Sequence, residues 1–197
     1  MRQRSDKFPN LTILFADASE GAPRLMPLLL EGCVSGRLFV CRDAATMEDA
    51  LEGEAFDLVI VNGDNGAEAL ATVRALRTRP DVNRTAPVLF LTSKVSRDTI
   101  FGALLAGAHS VLRKPFCRRD LACHLHRLLT EPRIFVPFGK GFLPLTESMA
   151  RQLGPAPDPV AIIAALRASV YERVLPGDAV EPEPTADSTV AEPFAWV

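Results

Sequence analysis

From residue 8 to residue 130 the chain alternates apolar runs of four to six residues with amphipathic stretches of ten to fifteen. Few architectures accept that pattern. The runs are of strand length, the stretches are of helix length, and their regular alternation calls for βαβ crossovers around a parallel sheet. Strands are predicted at residues 11–16, 37–41, 57–61, 87–92 and 110–112. Their near-continuous Val, Ile, Leu and Phe content fits strands covered on both faces. The fold class is therefore α/β, with a doubly wound, five-stranded parallel sheet.

The intervening helices carry boundary signals. In "SRDTIFGALLAGA", Ser96 is placed to cap a helix, Asp98 complements its macrodipole, Ile100, Leu104 and Leu105 form a stripe, and Gly107 ends it. Leu121, Leu125, Leu128 and Leu129 recur at i, i+4, i+7 and i+8 and give the next helix its buried face. The first helix is harder to place. Pro23 suits an opening turn, but Pro27 removes a hydrogen bond unless it too lies near the start, so this helix is predicted to begin late or to bend.

Beyond residue 131 the pattern changes, which divides the chain into a domain at 8–131, a partly helical extension at 132–176 and an acidic tail at 177–197. "RIFVPFGKGFLPL" reads as a short strand and then a loop interrupted by Gly and Pro, and "TESMARQLG" as a brief helix between Thr146 and Gly154. A longer helix over 159–175 has Asp158 as cap, Pro159 in first position and a stripe of Ile163, Leu166, Val170 and Val174. That stripe has to be buried, either on the first domain or against a second copy in a homodimer. The stretch from 176 to 197 carries five acids and no base. With so few apolar residues to offset the entropy of ordering, the tail is predicted to be disordered. Phe194 and Trp196 read either as a short docking anchor or as part of that tail.

With 197 residues, 48% of them hydrophobic, and a net charge of −2, the chain has room for one domain and an appendage. Its balance gives no global electrostatic reason to bind nucleic acid. The start has basic residues but no apolar h-region, and no apolar run reaches membrane-spanning length, so a cytoplasmic protein is expected. Cys33, Cys41, Cys117 and Cys123 form no C-x-x-C pair and fall in apolar periodic segments, which predicts reduced, mostly buried thiols. Cys117, Cys123, His124 and His126 lie close together, but only Cys117 and His124 share a helix face, so this helix alone makes no tetrahedral metal site. No G-x-S-x-G, P-loop or G-x-G-x-x-G occurs and His109 has no nucleophile partner, so neither enzymatic activity nor a cofactor is expected.

In an open parallel sheet the residues just past the C-terminal strand ends gather in one crevice. Here these are Asp17 and Ala18, Asn62, Thr92 and Ser93, and Lys114-Pro115. Through "ILFADAS", "FDLVIVNGD", "APVLFLTS" and "AGAHSVLRKPF", in that order, residues 11–130 resemble the response-regulator receiver domains of bacterial two-component signalling and phosphorelays. The resemblance implies the flavodoxin-like receiver fold. It also implies a site in which carboxylates hold a divalent cation, an aspartate takes a phosphoryl group, a hydroxyl binds that group and a lysine neutralises charge.

Asp17, Thr92 and Lys114 match that pattern, whereas Ala18 replaces the second acid and Asn62 replaces the acceptor. Val111 stands where receivers often carry an aromatic residue that follows the Thr or Ser, and a β-branched valine has little rotameric freedom. Asp17 and Lys114 sum to zero charge, so Mg²⁺ is expected to bind poorly and position 62 to take no phosphoryl group. Lys114 is instead predicted to pair with Asp17 and to donate to the Asn62 amide oxygen. Asp64, in the following loop, reads as a turn or capping residue. The chain thus reads as an atypical receiver, or pseudo-receiver, either fixed in one signalling state or keeping the pocket for packing alone.

Arg113, Lys114, Arg118, Arg119, Arg127, Arg133 and Lys140 face only two acids in the same stretch. They form a solvated helix face, meet the chain's acidic tail, or recognise an acidic or phosphorylated partner; an alternative is an anionic signalling nucleotide held by helix 117–129 and loop 133–141. The leading expectation is phosphorylation-independent signalling by protein contact, with a kinase or signalling regulator as partner. The resemblance marks helices 96–106 and 117–129 as the common contact surface. No helix-turn-helix with a basic recognition helix follows residue 130, so DNA binding is not expected.

Overall fold

The computed structural model describes residues 8–19 and 21–173, so the predicted tail at 177–197 and the stripe residue Val174 lie outside the described residues. Five parallel strands, β1 (Phe8–Ala16), β2 (Val34–Cys41), β3 (Leu58–Asn62), β4 (Val88–Thr92) and β5 (Ser110–Arg113), form one sheet in the order β2-β1-β3-β4-β5. The crossovers are α1 (Ala22–Leu30), α2 (Ala44–Gly53), α3 (Ala67–Thr78) and α4 (Arg97–Ala106), and α5 (Arg118–Thr130) follows the last strand. Strand alternation divides the core in two. Ile13, Phe15, Leu58, Ile60, Leu89 and Leu91 meet α1 and α5, while Leu14, Val59, Val61, Val88 and Phe90 meet α2, α3 and Ala103 of α4. All of these strand residues are at most 2% exposed, the condition under which each contributes about 1.5–3 kcal/mol.

β1 and β2 each extend three residues further back than predicted, because Phe8 pairs with Val34 across a break in register before Leu11. Gly36 allows that break: a Cβ there would lie 1.8 Å from the Leu11 carbonyl oxygen. α1 starts at Ala22 rather than late, and it contains Pro27; the partner that Pro27 lacks is the carbonyl of Pro23, in the opening turn. α4 is capped by Ser96 and ends at Gly107 as predicted.

After α5 the predicted loop is absent. Residues Arg133–Phe138 (β6) and Gly141–Thr146 (β7) form an antiparallel hairpin that turns at Gly139-Lys140. Pro137 and Pro144 are tolerated because each strand of a two-stranded ladder is an edge, so a proline nitrogen can face away from its partner. Helix α6 (Glu147–Leu153) is capped by Thr146, and α7 (Pro159–Arg173) follows.

These elements build a third core on α4. Val136, Leu143, Leu145 and Met149 join Ile162, Leu166 and Val170 of α7 against Ile100 and Leu104. The buried stripe of α7 thus runs through Ile162 rather than Ile163, and it is covered within the chain. A buried cation fixes the hairpin. Arg77, 2% exposed, donates to the carbonyls of Gly107 (2.9 Å) and Arg84 (2.6 Å), contacts His109 Nδ1 (3.2 Å), and lies 5.6 Å from the centroid of the Phe135 ring.

Candidate functional site

Asn62 ends β3, where its backbone is still extended and its side chain turns over the crevice. Its Oδ1 accepts from Lys114 Nζ at 2.7 Å and from the Asp64 amide at 3.2 Å, and its Nδ2 donates to Asp17 Oδ1 at 2.9 Å. The carboxamide therefore uses both its polarities, receiving from the lysine and giving to the acid.

Lys114 does not pair with Asp17 as predicted. Its second bond goes to Asp64 Oδ2 at 2.9 Å. The Asn62 amide stands between Asp17 and Lys114, and donation from it to Asp17 leaves the ammonium facing the next acid along. The cluster therefore holds two carboxylates and one ammonium, a formal −1 in place of the predicted zero. Asp64 is a site residue that the sequence reading left in a turn. It also accepts from the Ser93 amide (2.7 Å) and hydroxyl (2.9 Å), tying β3 to β4. Burial pushes the Asp64 carboxyl up, but the bonds from Ser93 and Lys114 together outweigh it and hold it below the usual carboxylate range.

The signal for Asp64 lies in the two glycines around it. Gly63 is pressed against β4, where a Cβ would be 2.0 Å from the Phe90 ring, and Gly66 turns at φ +58. Together they fold residues 63–65 into a single 3-10 turn that aims Asp64 inward. Thr92 is buried, but its hydroxyl is taken by the Lys94 backbone at 3.1 and 3.2 Å instead of facing Asn62. Ala18 is exposed, and Val111 is half-buried between the α3 side of the sheet and the third core.

Among the side-chain oxygens of this cluster only Asp17 Oδ2, buried, accepts no hydrogen bond. A Mg²⁺ ion requires near-octahedral oxygen coordination. With one open carboxylate oxygen, and the other three taken by Asn62 and Ser19, by Ser93, and by the Lys114 ammonium, the residues present do not fit it.

The basic run does not converge. Arg113 and Arg119 are exposed, Arg118 donates to the Leu28 carbonyl at 2.8 Å, and Arg127 and Arg133 both pair with Glu131. Lys140 sits at the hairpin turn, whose Gly141 packs on the Arg77 backbone of α3, across the sheet from α5. Helix 117–129 and the turn at 139–141 therefore do not form one anion site. Cys33 and Cys41 are buried and burial raises both thiols, but Cys117 and Cys123 are exposed, against expectation, because they lie off the Leu121, Leu125 and Leu128 face. His124 is buried against Ser110, and among the described residues no three His, Cys, Asp or Glu side chains are placed to hold a metal ion. No described helix is long and apolar enough to cross a membrane.

No family model and no curated protein sequence matches the chain. Solved structures do. It is similar to a response regulator from Thermotoga maritima, with 23% identity, a TM-score of 0.55, and coverage of 61% of this chain and 98% of that one. It is also similar to the chemotaxis response regulator CheY4 of Vibrio cholerae (21%, 0.53, 61% and 99%). A third is the signal receiver domain of a DNA-binding response regulator from Colwellia psychrerythraea (15%, 0.53, 61% and 98%). The fold is the receiver fold. Almost the whole of each neighbour is matched within 61% of this chain, so more than a third of it lies outside the likeness.

Proposed function

We propose that the chain is a phosphorylation-independent receiver protein of bacterial two-component signalling, working in the cytoplasm by contact with a protein partner, a kinase or a signalling regulator. The observation that carries the reading is Asn62. At the receiver position for the acceptor it presents a carboxamide already bonded to Lys114 and Asp17, which is no nucleophile toward phosphorus. Two further features point the same way. Val111 offers no ring to swing, and the α4 face is covered by α7 of the same chain. A cluster cross-linked by these bonds holds one arrangement, so the fold serves as a fixed surface. No chemistry of its own is assigned to it.

The test is a small-molecule phosphoryl donor, or beryllofluoride, with Mg²⁺ on freshly purified wild-type protein. No mass increase and no spectral change are expected. Stoichiometric Mg²⁺-dependent modification of Asn62 or Asp64, located by peptide mapping, would sink the reading. Fresh protein matters because an Asn-Gly step such as Asn62-Gly63 deamidates to an acid.

A further inference from the structure

Six large apolar side chains are exposed among the described residues, and four of them, Val40, Val82, Ile134 and Val160, stand singly on separate elements. The other two form a pair. Leu25 (58% exposed) and Leu28 (57%) are three residues apart on α1, so they are neighbours on one helix face. That face is basic at its edges. Arg24 is exposed beside Leu25, Arg118 holds the Leu28 carbonyl, and Arg119, the next residue of α5, is exposed; α1 itself carries no acid, and the exposed Glu31 follows its last residue. The surface thus asks for an occupant with apolar side chains set among acids.

The chain contains one such segment. From 176 to 197 it has five acids, no base, and Phe194 and Trp196 close together after Glu192. We propose that residues 176–197 dock on the Leu25–Leu28 face of α1 in the same molecule, with the two aromatic side chains over the leucines and the acids toward Arg24, Arg118 and Arg119. The reach is sufficient. Trp196 is 23 residues beyond Arg173, and a stretch of that length extends to about 76 Å at most, more than the half-circumference of about 65 Å of a domain whose radius of gyration is about 16 Å. Tethering makes the docking intramolecular, which favours it over the same contact between separate molecules. The docking belongs to the chain alone and stands whether or not the crevice takes a phosphoryl group. A protein partner seeking α1 and the start of α5 would have to displace it.

Trp196 is the only tryptophan, so the full chain reports on itself. Acrylamide quenching of its fluorescence is compared in the wild type, L25D/L28D and R119E, with V82D as a control on a separate element and far-UV circular dichroism to establish folding. In the wild type at low salt, a blue-shifted and protected tryptophan is expected. Quenching should rise about threefold in L25D/L28D, the change for a segment passing from mostly docked to mostly free, and less in R119E, with V82D unchanged. Raising NaCl from about 0.01 to about 1 M, which shortens the Debye length from about 30 to about 3 Å, should raise quenching in the wild type. Equal quenching in wild type and L25D/L28D overturns the proposal, as does protection that salt does not weaken. Protection lost on dilution also overturns docking within one molecule, in favour of a second copy.

Discussion

At Asn62 a single amide group holds two charges of opposite sign apart, since its oxygen faces the ammonium of Lys114 and its nitrogen faces the carboxylate of Asp17. Asn62→Asp keeps the shape and removes the donor. Asp17 would then face a second carboxylate, with Lys114 the only cation of the cluster, so urea denaturation at neutral pH should show a loss of about 1–3 kcal/mol. Unchanged stability would mean that the Asn62–Asp17 bond contributes little. Asp64 makes a separate, pH-dependent contribution. Its folded-state carboxyl lies below the ordinary value of about 4, so its stabilisation is present above that pH and is lost as pH falls through the folded value. Asp64→Asn should flatten the acid limb of stability between about pH 5 and pH 2, and an identical acid limb in the variant would count against this. The sequence located Asn62 and Lys114 because strand ends converge in a parallel sheet. It could not locate Asp64, whose aim depends on Phe90 pressing against Gly63 from another strand.

Among the elements, the hairpin was the least legible and Arg77 explains why. In the last turn of α3 an arginine has an ordinary surface role, complementing the helix macrodipole. Its burial is built by Gly107, Arg84 and the Phe135 ring of β6, contacts between residues far apart in the chain. Burial pushes the guanidinium down to about 9, still well above neutrality, so a cation with no carboxylate partner among the described residues is held by backbone carbonyls and His109. Val88 N also donates to His109 Nδ1, which makes that nitrogen the acceptor of both bonds. Arg77→Met fills the space but leaves the Gly107 and Arg84 carbonyls without this donor. We expect a loss of about 1–3 kcal/mol in urea denaturation, with faster amide exchange concentrated in β6 and β7; even acceleration across all strands would argue against a local role. The stripe of α7 was misplaced by one residue for a different reason. Ile162 and Ile163 each extend through Leu166 and Val170 at helical spacing, and only the position of α4 chooses between them.

For the whole molecule the consequence is three cores among the described residues, two sandwiching the sheet and a third joining the extension to α4. The five-strand alternation was legible because each βα unit repeats the same local pattern. The third core was not, because the buried faces of β6, β7 and α7 are defined only by their meeting with Ile100 and Leu104. Contacts between the extension and the sheet domain run chiefly through α4 and α3, so the extension should open before the sheet does. Leu166, 1% exposed at the middle of α7, is the place to test it. Leu166→Ala removes apolar volume from the third core alone and should cost about 2–5 kcal/mol there. Native-state hydrogen exchange should then show protection falling in α4, β6, β7 and α7, while the amides of β1, β3 and β4 keep theirs. A uniform fall in all strands would show instead that the extension and the sheet unfold as one cooperative unit, and that α7 is part of the fold rather than a cover laid upon it.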